Sequence, residues 1–340
     1  MSTVQAWAAL EAGAKLQPFT YEMPPAGPEE VEIEVTHCGL CHTDLAFIHN
    51  EWGMIPFPLV PGHEIVGRIA ALGEVAAAKG LSVGQTVGVG WNKQSCQHCD
   101  PCLEGAPHLC SSLQATIFGN HGGFADRVKA HWLWTIPVPA ELDAADAGPL
   151  FCAGITVFSP LMEYALRPTA RVGVFGIGGL GHLALQFCRA WGSDVTAFSS
   201  TRSKYDEILA LGASHVVSSR DPAEWEALKG KFDLLLVTVA VPLDWDKITA
   251  MLAPKGRLHF VGIVDQPIPV HVMSLLGAQA SLSASPSGAR SSLDKMLRFA
   301  ARHRIAPRVE HFPMSKVNDA IAHLEAGKAS YRVVLDADFA

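Results

Sequence analysis

A chain of 340 residues, 49% apolar and 17% charged, is globular and long enough for two cores. Its net charge of −7, without any run of Lys or Arg, excludes a nucleic-acid surface. The opening MSTVQAWAALEAGAKL lacks a charged-then-apolar leader, and no stretch is apolar enough to span a bilayer, so neither signal peptide nor membrane anchor is expected.

The first 150 or so residues are rich in Gly and Pro and poor in helical periodicity. VEIEV (Val31–Val35) alternates apolar and acidic residues, as a half-buried strand does. IVGRIAALG (65–73) and VGQTVGVG (83–90) read as short strands broken by glycine. Within this β-rich part, Cys96, Cys99, Cys102 and Cys110 are spaced C-x2-C-x2-C-x7-C, with Asp100, Pro101, Gly105 and Pro107 between them as turn formers. Four thiolates so spaced can surround one structural Zn2+ tetrahedrally, a reading favoured over two disulfides or four unrelated thiols.

After Cys152 the pattern changes to strand–helix alternation, which predicts right-handed βαβ units on a parallel sheet. Residues 170–192 read as strand, glycine turn and helix; 194–200 as strand; 203–213 as helix; 216–218 as strand. Helix over 223–230, strand over 232–240, helix over 246–253 and strand over 256–263 follow. From about 291 come a helix (291–304), a second helix (315–327) and a last strand (331–337), a tail expected to return to the first domain. The expected fold class is therefore α/β, with a β-rich domain over 1–152 and 291–340 and a Rossmann doubly wound parallel-sheet domain over 153–290.

Gly176, Gly178 and Gly181 form G-x-G-x-x-G between an apolar strand and a helix, the context in which that motif cradles a pyrophosphate. The next strand ends in Ser199, Ser200, Thr201, Arg202, Ser203 and Lys204, with no carboxylate before Asp206. Hydroxyls and two cations suit a ribose 2′-phosphate, so NADP(H) is expected over NAD(H). Cys41 in CGLCHTD, His63 and Glu64 in PGHE, and Cys152 in FCAG offer a second zinc set with an open position. These ligands are too scattered to form a spacing motif, and from the residues alone His63 could equally cap a loop. Thr43, two residues after Cys41, is the candidate proton donor to a substrate oxygen, or an ordinary loop hydroxyl. Of the eight cysteines, six are assigned to zinc; Cys38 and Cys188 read as small buried apolar residues. Such cysteine usage fits a reducing, cytoplasmic compartment.

Together these segments resemble the zinc-dependent medium-chain dehydrogenase/reductase superfamily, and within it the cinnamyl alcohol dehydrogenase branch and bacterial NADPH-dependent aldehyde reductases. The resemblance is carried by CGLCHTD, VPGHEIVGRI, the four-cysteine loop, PLFCAGITVFSPL, VFGIGGLGHLALQF and SSTRSK. It implies a GroES-like catalytic domain beside the Rossmann domain, an active site in the cleft between them, and a homodimer. It further implies catalytic zinc on Cys41, His63 and Cys152 with Glu64 close by, and Thr43 passing the proton. Gly176, Gly178, Gly179, Leu180 and Gly181 would carry the pyrophosphate, and Ser199, Thr201 and Lys204 the 2′-phosphate. Many relatives have a relay histidine where this chain has Ala46; His42 and His49 are the nearby candidates to replace it. The family places Trp52, Phe57 and the loop after Cys110 around the substrate; Trp91 is a further wall candidate, and small Ala115 and Thr116 imply extra room. The expected activity is zinc-dependent, NADP(H)-linked interconversion of aromatic and medium-chain primary alcohols and aldehydes, with two zinc ions per chain. The alternatives are 1,4-reduction of conjugated C=C or C=N bonds on the same fold, left open by Ala46, and a non-catalytic zinc and nucleotide binder.

Overall fold

The computed structural model describes residues 1–339 except 222 and 265. The chain forms two compact units, Met1–Cys152 with Ala289–Ala340, and Ala153–Gly288.

The first unit is built on a sheet whose strands run in the order Val309–Pro313, Arg332–Asp336, Glu30–Leu40, Ile65–Leu72, Thr86–Val89, Ile136–Pro137, with Arg127–His131 also paired to Glu30–Leu40. Glu30–Leu40 is the spine. Its Val31, Ile33 and Val35 enter the core, while Glu34 faces out. Glu32 is nearly buried on the other face and is held at 2.6 Å by Arg127 across the strand pair. The strand Arg332–Asp336, from the far end of the sequence, pairs antiparallel with its C-terminal half.

In the second unit a six-stranded, wholly parallel sheet has the order His215–Ser218, Asp194–Ser199, Arg171–Phe175, Phe232–Val237, Leu252–Phe260, Ser281–Ala284. In chain order that is 3-2-1-4-5-6, the doubly wound arrangement whose first strand–helix turn binds dinucleotides. Val172, Val174, Leu234, Leu235 and Leu236 are buried, as strands covered on both faces require. Two expected helices differ. Over 223–230 there is only a 3-10 turn, Glu226–Leu228, because Trp225 leaves the surface to pack edge-on against Phe175 and Phe198 at 5.9 and 6.1 Å. The helix expected over 246–253 ends at Ala250, and Leu252 already belongs to the next strand.

Candidate metal centres and cofactor loop

Two groups of potential metal ligands lie in the first unit: Cys96, Cys99, Cys102 and Cys110, and Cys41, His63, Glu64 and Cys152, each with donor atoms within 4.8 Å of one another. A tetrahedral zinc with bonds of 2.0–2.3 Å sets its donors about 3.3–3.8 Å apart. The observed separations fit: Cys96 to Cys102 sulfurs 4.0 Å, Cys41 to Cys152 sulfurs 4.0 Å, His63 Nε2 to Cys152 Sγ 3.3 Å. Disulfides would need about 2.05 Å, and all eight cysteines are free. Cys38 and Cys188 are fully buried in apolar surroundings.

The second group is assembled from three places. Cys41 sits at the N-cap of the helix His42–Ile48, directly after the spine strand. His63 and Glu64 precede the strand Ile65–Leu72. Cys152 ends the 3-10 turn Gly148–Phe151. Asp44 ties them together: its Oδ2 accepts the Cys41 N–H at 2.9 Å, and its Oδ1 accepts the Gly62 N–H at 2.9 Å and lies 3.1 Å from His63 Nδ1. That leaves Nε2 facing the sulfurs, the carboxylate–histidine arrangement that orients a metal ligand. Burial alone would push His63 down, but Asp44 and Cys41 together raise it well above the ordinary range. A hydrogen bond from Cys152 draws the Cys41 thiol well down against its burial, and the same bond holds Cys152 up.

Glu64 is fully buried. Its Oε1 is paired with the Arg332 guanidinium, while Oε2 has no hydrogen-bond partner among the described residues. Burial raises the Glu64 carboxyl and Arg332 opposes the rise. A buried oxygen without a partner, beside two sulfurs and an imidazole, fits a cation at this point. Gly39 makes space for it: any Cβ there would collide with Glu64 Oε2.

Asp44 and Arg332 escape a reading by motif. The available signals were a carboxylate three residues after Cys41, and one Arg opening the strand RVVLD just before its apolar Val333, Val334 and Leu335.

Thr43 lies half-buried in the first turn after Cys41. His42 is exposed, His49 Nε2 is engaged with Glu325 at 2.7 Å, and Ala46 is buried. Trp52 and Trp91 both stand edge-on to Phe47, at 5.3 and 5.7 Å, and Trp91 is also edge-on to His63 at 5.5 Å. Phe57 packs against the same core. Phe118 joins the cluster at 6.3 Å from Phe47. Ala115 and Thr116 are both buried, and the Thr116 hydroxyl donates to the Gly90 and Trp91 carbonyls.

In the second unit the glycine loop opens the helix Gly181–Trp191, with Leu180 at its N-cap and Gly179 just before it. Gly176 has φ +88°, and a Cβ there would strike Val239; a Cβ at Gly181 would strike the Gly176 carbonyl. Gly178 faces open space, as close approach of a phosphate requires. Thr238, not singled out by any motif, donates to the Phe175 and Gly176 carbonyls and pins the loop. Ser199 is buried and its Oγ accepts the Thr201 N–H at 3.2 Å. Ser200, Thr201, Arg202 and Lys204 are exposed, and Arg202 lies 3.5 Å from Glu224.

Residues 27–140 match the alcohol dehydrogenase GroES-like domain, and residues 179–302 match the zinc-binding dehydrogenase domain. The chain belongs to the zinc-binding alcohol dehydrogenase family. It is 52% identical to the aldehyde reductase AdhA of Synechocystis sp., over 98% of each chain. It is 38% identical to the probable cinnamyl alcohol dehydrogenase 8A of Oryza sativa subsp. japonica, over 97% of this chain and 94% of that protein. Among solved structures, the cinnamyl alcohol dehydrogenase SbCAD4 of Sorghum bicolor superposes with a TM-score of 0.93 at 35% identity, covering 98% of both chains. The Helicobacter pylori enzyme CAD, solved with NADP(H), gives 0.89 at 27% identity, again over 98% of both. This dehydrogenase therefore falls in the branch of cinnamyl alcohol dehydrogenases and aldehyde reductases, and its two units correspond to the GroES-like and Rossmann folds.

Proposed function

We propose that this dehydrogenase interconverts primary alcohols and aldehydes with NADP(H), using the centre formed by Cys41, His63, Glu64 and Cys152. The observation that carries the reading is that donor set: buried, within 4.8 Å, and retaining one unpaired carboxylate oxygen. When bound, zinc supplies Lewis acidity at a carbonyl oxygen and the nicotinamide supplies the hydride. The chain's residues hold and orient. Asp44 fixes the His63 ring, and Arg332 pairs with Glu64 and opposes the rise that burial gives its carboxyl. Thr43 Oγ1 exchanges the proton of the substrate oxygen, and with Ala46 offering no imidazole the proton leaves through water. The glycine loop takes the pyrophosphate at the N-terminus of Gly181–Trp191. Ser199, Ser200, Thr201, Arg202 and Lys204 provide the 2′-phosphate site, a strand end with no carboxylate before Asp206, where Glu224 beside Arg202 has to give way to the phosphate. Trp52, Phe57 and Trp91 wall an apolar substrate site suited to aryl and alkenyl groups.

The deciding experiment is product identification after incubating the zinc-loaded protein with NADPH and cinnamaldehyde. Cinnamyl alcohol supports the reading. Saturated 3-phenylpropanal would replace it by 1,4-reduction, the chemistry that Ala46 leaves open. NADH matching NADPH at equal concentration would remove the cofactor preference.

The assembly we infer is a homodimer in the cytoplasm. No helix among the described residues is long and apolar enough to cross a membrane. The edge strand Ser281–Ala284 is open on one side, and beside it Val272, Met273 and Leu276 are 66%, 76% and 66% exposed. An apolar edge of this kind calls for a second copy. Leu276→Asp should shift sedimentation from dimer to monomer; a wild-type monomer would refute the assembly.

A further inference from the structure

The four-cysteine loop turns at Gln97, whose φ of +62° puts a residue with a side chain where glycine is the easy occupant. The turn brings the Cys99 N–H onto the Cys96 sulfur at 3.4 Å. The Cys96 N–H in turn reaches Cys110 Sγ at 3.4 Å. The strained turn therefore directs backbone N–H groups at two of the ligand sulfurs.

A residue outside the loop holds Gln97 in place. Its side-chain amide lies 3.0 Å from Nε2 of His131, which is 4% exposed at the end of the strand Arg127–His131. His131 Nδ1 accepts the Leu133 N–H at 3.0 Å, so that nitrogen carries no proton. The hydrogen of the neutral ring is then on Nε2; the Gln97 amide nitrogen lies 3.0 Å from it, and a half-turn of that amide brings its oxygen there to accept the hydrogen. Burial holds His131 below the ordinary histidine range, in the same sense. Glu29 Oε2 is 3.5 Å from that nitrogen. On the other side of Cys96, the Trp134 indole N–H donates to Ser95 Oγ at 3.3 Å. The segment His131–Trp134 thus grips both neighbours of Cys96.

We propose that His131 is a positioning residue for the structural zinc loop: it fixes Gln97 in the left-handed turn, so that Cys96 is presented as a preformed ligand. The inference rests on the four-cysteine set holding zinc. The zinc-loaded enzyme is exposed to a chelator and iodoacetamide, and alkylation of Cys96, Cys99, Cys102 and Cys110 is followed by peptide mass spectrometry. His131→Leu should speed that alkylation about tenfold, and Gln97→Ala, which keeps the strained backbone without the amide, about as much. Gln97→Gly should stay near wild type, and adding His131→Leu to it should change the rate by less than about twofold, because glycine needs no clamp. If the His131→Leu effect survives in the Gln97→Gly background, His131 serves packing alone and the proposal falls. Gln97→Ala no faster than Gln97→Gly overturns it as well, and that comparison leaves the buried imidazole untouched. Alkylation indifferent to added zinc would instead overturn the zinc site, and the inference with it.

Discussion

The two metal centres of the first unit are made in opposite ways. The four-cysteine loop draws its ligands from 15 consecutive residues, and its shape is set by local turns and backbone N–H groups. The Cys41 centre gathers ligands up to 111 residues apart, and a buried carboxylate and guanidinium hold it together. A local site is shaped within one segment, here braced by His131 and Trp134; a dispersed one depends on the whole fold to bring its ligands together. Only the dispersed centre keeps an unpaired buried oxygen, which is where chemistry has room to occur.

Breaking each centre separately sharpens the contrast. Cys41→Ala should lower turnover about a thousandfold or more, with the zinc of the four-cysteine loop still resistant to chelator; loss of both metals would show that the centres are coupled. Arg332→Met leaves Glu64 buried without its counter-charge, and urea unfolding should register about 3–5 kcal/mol of destabilisation. Asp44→Asn keeps the hydrogen-bonding shape but weakens its hold on His63, and metal affinity or activity should fall about 10–100-fold. Titrating zinc against a competing chelator measures this, and an unchanged affinity would remove Asp44 from the site.

The smallest effect concerns the loop leading to Cys152. His311 bridges Asp336 at 2.7 Å and Asp146 at 3.0 Å, and both bonds exist together only while the ring is protonated. Burial works against the charge, but the two carboxylates raise His311 above its ordinary value of about 6.5. A raised basic group stabilises most below about pH 6.5, and its contribution fades as pH climbs through the folded value. His311→Gln should therefore cost up to about 1 kcal/mol at pH 6 and little at pH 9, because the bridge is partly exposed. A pH-independent difference in melting temperature would refute the bridge.

This asymmetry also explains what the sequence disclosed. The four-cysteine spacing, the glycine loop after an apolar strand and the βαβ alternation are local patterns, legible without a fold. The strand order and the gathering of Cys41, His63, Glu64 and Cys152 needed the resemblance as well as the residues. Asp44 and Arg332 stayed hidden because their meaning lies in partners 19 and 268 residues away. The helix expected over 223–230 was lost for a similar reason: Trp225 is recruited by Phe175 and Phe198, and its indole N–H finds the Ser218 carbonyl at 2.9 Å. Tertiary packing overrides local propensity there.

The ion pair between Glu64 and Arg332 has a consequence for biosynthesis. A ribosome delivers Glu64 268 residues before its counter-charge Arg332, and every strand of the parallel sheet emerges between the two. The Rossmann unit can close on the nascent chain, whereas the catalytic unit must wait with a carboxylate it cannot bury. Final assembly of the reactive centre is in this way deferred until the whole parallel sheet has been made.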